Sequence, residues 1–166
     1  MSSELVLRIR DAVKDAMRAR DRARLGALRL VTAEIQRVEV DERIEVDDAR
    51  ALAILDRMVK QRLDSEAQYR AADREDLAAA EAAEIAVIRE FLPAPLDDDA
   101  LVALVDAAVA ETGAEGMRDM GRVMAVLKPR VQGRADMGAV SARVKARLGG
   151  GARAPHGRAD PPELHR

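Results

Sequence analysis

Apolar residues recur every three or four positions along almost the whole chain, from Leu5 to Leu148, and no segment sustains the every-second-residue alternation of a half-buried strand. A sequence with that single periodicity has one layer architecture open to it, helix packed on helix, so the fold class is all-α. The stripes are Leu5, Ile9, Val13 and Met17; then Leu28, Val31, Ile35 and Val38; then Leu52, Leu55, Val59 and Leu63; then Leu77, Ile85, Ile88 and Phe91. Three more follow: Leu101, Leu104, Val105, Ala108 and Val109; Met117, Met120, Met124 and Leu127; and Val140, Val144 and Leu148. Each predicts one helix. The scarcity of aromatics agrees, since Phe91 and Tyr69 are alone and Trp is absent, whereas strands favour aromatic and β-branched residues.

Punctuation between the stripes sets the boundaries. Asp21 is placed to cap the second helix, and the β-branched, charged run from Val38 to Asp48 breaks its pattern. Asp73 with Asp76 resembles a capping box for the fourth. Pro93-Ala94-Pro95 stops that helix, because proline has no amide donor and restricts the residue before it. Asp97 caps the fifth helix and Gly113 ends it. Pro129 cannot donate to the carbonyl of Ala125, so the sixth helix is expected to kink or tighten there. Gly133 supplies a left-handed exit and Asp136 caps the seventh. Gly121, inside a helix, suggests close approach by a neighbouring helix or a ligand. The predicted organisation is an N-terminal helical bundle domain over 1–93, a small three-helix domain over 96–148, and a disordered tail over 149–166, which has no apolar period.

Most catalytic chemistry lacks its residues. Cysteine is absent, which removes disulfides, thiolate nucleophiles and cysteine-ligated zinc. The only histidines, His156 and His165, lie in the final stretch, so no imidazole serves the helical region as a base near neutral pH. There is no phosphate loop, and Ser2, Ser3, Ser65 and Ser141 lie outside any nucleophile elbow. Acidic pairs such as Glu81/Glu84 and the run Asp97-Asp98-Asp99 read as solvated faces and helix starts. No catalytic residue, metal or cofactor is expected. Without a membrane-length apolar run or a signal-peptide core, the expected location is cytoplasmic.

Charge is unevenly spread. The net charge is −2, yet residues 1–33 carry 8 basic and 4 acidic side chains, residues 34–116 carry 9 and 22, and residues 117–147 carry 8 and 2. In the last stretch Arg118, Arg122, Lys128, Arg130, Arg134, Arg143, Lys145 and Arg147 surround two short helices and the turn at Gly133. Cationic side chains beside helix-start amides and a glycine form an anion site by construction. With almost no aromatic platform for stacking, phosphate contact of this kind suits a folded RNA or a duplex read by shape.

Met120-Gly121-Arg122-Val123-Met124, then Pro129, then Gly133-Arg134-Ala135-Asp136 resembles the C-terminal signature of the GatB/YqeY family, which comprises small YqeY-like proteins and the tail of the GatB subunit of the tRNA-dependent amidotransferase. Asp21-Arg22-Ala23-Arg24-Leu25 with Arg29 is similar to its second-helix pattern. Lys60-Gln61-Arg62, Asp64-Ser65, Tyr69, Arg74, Asp76-Leu77, Glu81, Glu84 and Leu92-Pro93 are similar to its middle pattern. The resemblance runs from about Leu5 to Leu148. Asp73 stands where the family usually has glycine, Lys128 at a usually apolar position, and Met137 where Gly or Pro commonly follows the acid.

The resemblance implies an all-helical fold with an N-terminal helical domain and a C-terminal three-helix domain. It also implies contact with the body of tRNA, and no catalysis by this chain alone. The expected function is a tRNA- or structured-RNA-binding accessory, linked to tRNA-dependent amidation. Arg122, Lys128, Arg130, Arg134, Arg143, Lys145 and Arg147 would touch nucleic acid, while Gly121, Pro129, Gly133 and Asp136 shape the turn. The alternatives are a helical protein–protein adaptor using the acidic N-terminal bundle or the Met face of the sixth helix, and a component of a glutamine-dependent carbon–nitrogen ligase.

Overall fold

A computed structural model describes residues 3–150. Among them the regular structure is helical throughout: α1 (Glu4–Ala19), α2 (Arg22–Glu42), α3 (Asp48–Ala71), α4 (Glu75–Arg89), α5 (Asp98–Thr112), a 3₁₀ turn at Met117–Asp119, α6 (Met120–Val131) and α7 (Met137–Gly149). The residues expected to form a disordered tail lie, from 151 onward, outside those described; Gly149 belongs to α7. Among the described residues no helix is long and apolar enough to cross a membrane.

The caps are single-residue chemistry and fall where the sequence puts them. Asp21, Asp97 and Asp136 each accept the amide three residues on, from Arg24 at 3.1 Å, Ala100 at 2.7 Å and Ala139 at 3.0 Å. Gly113 and Gly133 adopt left-handed φ of 63° and 73°. Two further caps complete the set. Asp47 starts α3 by accepting from Arg50 N at 2.8 Å. Ser3 starts α1 by accepting from Val6 N at 3.1 Å, while its hydroxyl donates to Asp48 Oδ1.

Two clusters of buried apolar residues form. One joins α1–α4 through Ile9, Leu28, Ile35, Leu55 and Ile88, with Val46 from the α2–α3 connection. The other joins α5–α7 through Leu101, Val105, Val123, Leu127, Val140 and Val144. The chain passes from one to the other at Pro93–Pro95.

Several expectations need correction. Met17 is 53% exposed and Leu63 42% exposed. Both lie at the end of an i, i+4 run, which drifts about 40° round the helix per step, so Ala16, Ile54 and Met58 face the core instead. The second helix does not break at Val38 but continues to Glu42. No capping box opens α4: Asp73 sits at φ 56°, Arg74 is the cap residue and its side chain makes no capping bond, and Asp76 instead accepts from the Arg74 guanidinium at 3.1 Å. In α6 the buried face is Val123, Leu127 and Val131, with Met120 and Met124 at its edge and Met117 exposed before the helix begins. α6 runs through Pro129 to Val131. A Cβ on Gly121 would meet nothing within 4 Å, so neither a helix nor a packed side chain explains that glycine.

Candidate nucleic-acid interface

The acidic residues of α5 turn toward the basic residues of α6 and α7. Arg130 Nη2 lies 3.1 and 2.8 Å from the two carboxylate oxygens of Glu111. Arg143 pairs with Asp98 at 2.9 Å and Arg147 with Asp106 at 3.0 Å. Arg122 donates to Asp119 at 2.7 Å and to the carbonyl of Thr112 at 3.2 Å. Asp119 also accepts the amide of Glu115, and that bond, reinforced by Arg122, holds its carboxyl down to about 2. Between residues 96 and 148 eight basic side chains face eight acidic ones, so the three-helix unit has no net charge.

These pairs do not sequester the arginines. Each of Arg122, Arg130, Arg143 and Arg147 is more than a third exposed, and exposed ion pairs contribute only about 0–1 kcal/mol. A phosphate can replace the carboxylate at little cost. Lys128 and Lys145 are exposed and have no acidic partner among the described residues. They stand on α6 and α7, among the paired arginines in sequence.

The turn between α6 and α7 is more occupied than its sequence suggests. The amides of Arg134 and Ala135 both donate to the Val131 carbonyl, at 2.9 and 3.1 Å, and that of Ala139 goes to Asp136. Arg134 Nε donates to the Ala94 carbonyl at 3.1 Å, and Arg134 O accepts from Leu96 N at 2.8 Å. Arg134 therefore ties the α6–α7 corner to the proline junction, with only its terminal nitrogens left for a ligand.

That junction frames a cleft of about 470 Å³ lined by Asp56, Lys60 and Leu63 of α3, Arg89, Leu92 to Pro95, and Gly133 to Asp136. Lys60 Nζ is 3.6 Å from Asp136 Oδ1. Burial raises the Asp56 carboxyl, and the charge of Asp136 raises it further against the opposing pull of Lys60. No local motif announces this cleft, because its walls come from three distant stretches of chain.

Several motif residues of the middle pattern prove to be structural. Arg62 reaches from α3 to Glu81, at 3.3 Å, and to Glu84, both on α4; its Nε is buried without a partner. Arg24, from the second-helix pattern, joins Glu90 at 2.6 Å.

The family model for YqeY-like protein matches residues 6–148. An uncharacterised protein of Schizosaccharomyces pombe, C22F3.15, is 31% identical over 85 residues, covering 51% of this chain and 69% of the yeast protein. With nearly all of its helical region matched, the chain belongs to the YqeY-like protein family.

Proposed function

We propose that the protein is a non-enzymatic accessory that binds structured RNA through the outer surface of α6 and α7. The observation that carries the reading is the pair of exposed, unpartnered lysines, Lys128 and Lys145, set among Arg130, Arg143 and Arg147, whose side chains are held by exposed ion pairs. Such a surface offers phosphate contacts and no base-stacking platform, which fits a folded RNA gripped by its backbone. Transfer RNA is the first RNA to test, because the resemblance extends to the tail of the amidotransferase subunit that contacts tRNA.

The test is equilibrium binding of purified tRNA across salt concentrations. Wild-type affinity should fall steeply as salt rises. Lys128→Ala/Lys145→Ala should flatten log affinity against log salt by about 1.4–1.8, from roughly 0.7–0.9 per lost phosphate contact, with an unchanged melting temperature. Wild-type protein that shows no salt-dependent association with tRNA would sink the reading. Arg134→Ala is a poor probe, since it also breaks the tie to Ala94.

A further inference from the structure

Exposed cations without an acidic partner are not confined to the C-terminal unit. Around the α1–α2 connection, Lys14, Arg20, Arg22 and Arg29 are all exposed and none has an acidic partner among the described residues. The two acids of this stretch are engaged: Asp15 with Arg18 at 3.3 Å, and Asp21 in capping α2. In the C-terminal unit α5 brings an acid to three of the six arginines, Arg130, Arg143 and Arg147.

Helix geometry sets two of these cations, Arg22 and Arg29, on one face. Arg22, Gly26, Arg29 and Ala33 follow i, i+4, i+7 and i+11, one face of α2, and all four are exposed. A Cβ on Gly26 would meet nothing within 4 Å, so the helix between the two arginines is bare and a bulky chain can lie close to it. Arg22 and Arg29 stand about 10 Å apart along the axis, from 1.5 Å per residue. Beyond Ala33 the helix changes character, where Arg37 is enclosed by Glu34 at 2.5 Å and Asp41 at 3.0 Å.

Arg24 binds Glu90, which ties the start of α2 to the end of α4, three residues before Pro93. The Gly133 turn packs on Leu92 and Pro93 from the other side. The start of α2 and the α6–α7 corner thus meet the same junction, while the Arg22–Arg29 face lies on the far side of α2 from Arg24 and is turned to solvent.

We infer that Lys14, Arg22 and Arg29 form a second phosphate-binding surface, engaged by the same RNA that α6 and α7 hold. This rests on the RNA-binding reading and assigns it a further contact. The occupant is the phosphate backbone, chosen by charge complementarity.

The experiment measures tRNA affinity and stoichiometry between about 50 and 200 mM salt for four proteins. These are wild type, Lys14→Ala/Arg22→Ala/Arg29→Ala, that triple combined with Lys128→Ala/Lys145→Ala, and a control removing equal charge from α3, Arg50→Ala/Arg57→Ala/Arg70→Ala. The triple should flatten the salt slope by about 2–3, the combined variant by about 3.5–4.5, and the control by less than one, all at one RNA per protein. A triple that binds as wild type does overturns the second surface and leaves the RNA-binding reading standing. A control that loses as much as the triple also overturns it, since only the general field would then be at work. Two RNAs per wild-type protein overturn the shared ligand. Absence of wild-type binding removes the RNA-binding reading and the second surface together.

Discussion

A Cβ built on Gly133 would stand 3.2 Å from Leu92 Cδ2, on a backbone already at φ 73°. Gly133→Ala should therefore destabilise the protein by about 1–2 kcal/mol from the left-handed conformation alone, and Leu92 must shift besides. Gly26→Ala and Gly121→Ala should do the opposite. Both sites have open space around the missing Cβ and lie within helices, so each should gain about 0.5–1 kcal/mol. Denaturant midpoints measured side by side check the contrast; a neutral Gly133→Ala would mean the corner relaxes freely.

Asp56 is the residue for which removing charge should help. Its carboxyl is raised by burial and by Asp136, so the folded state holds its proton more tightly than the unfolded chain does. Its charge then costs stability progressively as pH rises from the unfolded value of about 3.9 through the higher folded one. Asp56→Asn should raise the melting temperature at pH 7 and leave it little changed below about pH 4. A lower melting temperature at neutral pH would show that Asp56 serves Lys60 more than it suffers from Asp136.

Arg62 is only 18% exposed and lies between Glu81 and Glu84. Arg62→Ala leaves two neighbouring, half-buried carboxylates unpaired and should cost about 2–3 kcal/mol. Adding Glu81→Gln and Glu84→Gln should recover part of that loss. Chemical denaturation of the set gives the coupling; no recovery would assign the loss to packing of the arginine stem.

Ser3→Ala removes the α1 cap and should cost about 1 kcal/mol. Its hydroxyl, followed by the Leu5 amide, also lowers the Asp48 carboxyl. That contribution is present above the unfolded carboxylate value and is lost as pH falls through the lower folded one. The variant should therefore differ less from wild type in strong acid than at neutral pH, as thermal melts across that range would show.

Residues 96–148 enclose their own buried cluster and are expected to fold as an isolated fragment. A core this small is marginal, so the fragment should melt cooperatively but at low temperature. A fragment without helical circular dichroism would place its stability in the contacts at Leu92 and Ala94.

The sequence carries the helices clearly because one period runs through them, and it carries Asp21, Asp97, Gly113, Gly133 and Asp136 because each acts on backbone within its own turn. Met17 and Leu63 depart from the expected core for a geometric reason, since equal steps of four leave the core face by the third or fourth residue. Ser3 and Asp48 are 45 positions apart, and nothing local links them. The basic stretch is legible as composition but not as a surface. Counting charge from residue 117 separates α6 and α7 from the α5 acids that fold against them, and it gives less weight to the α1–α2 corner, where Lys14, Arg20, Arg22 and Arg29 have no acidic partner among the described residues.

The Arg62 cluster has a consequence apart from its strength. α4 reads Glu75-Asp76-Leu77-Ala78-Ala79-Ala80-Glu81-Ala82-Ala83-Glu84, with Leu77 the one large apolar residue before Ile85. Alanine surfaces one turn apart look nearly alike to a partner helix, so this half of α4 packs on α3 with little to distinguish one register from the next. A guanidinium that must meet two carboxylates three residues apart lifts that degeneracy, because a slip of one turn leaves it one carboxylate and strands the other. The cluster acts as an index mark between α3 and α4, and it selects a single alignment where apolar burial would accept several.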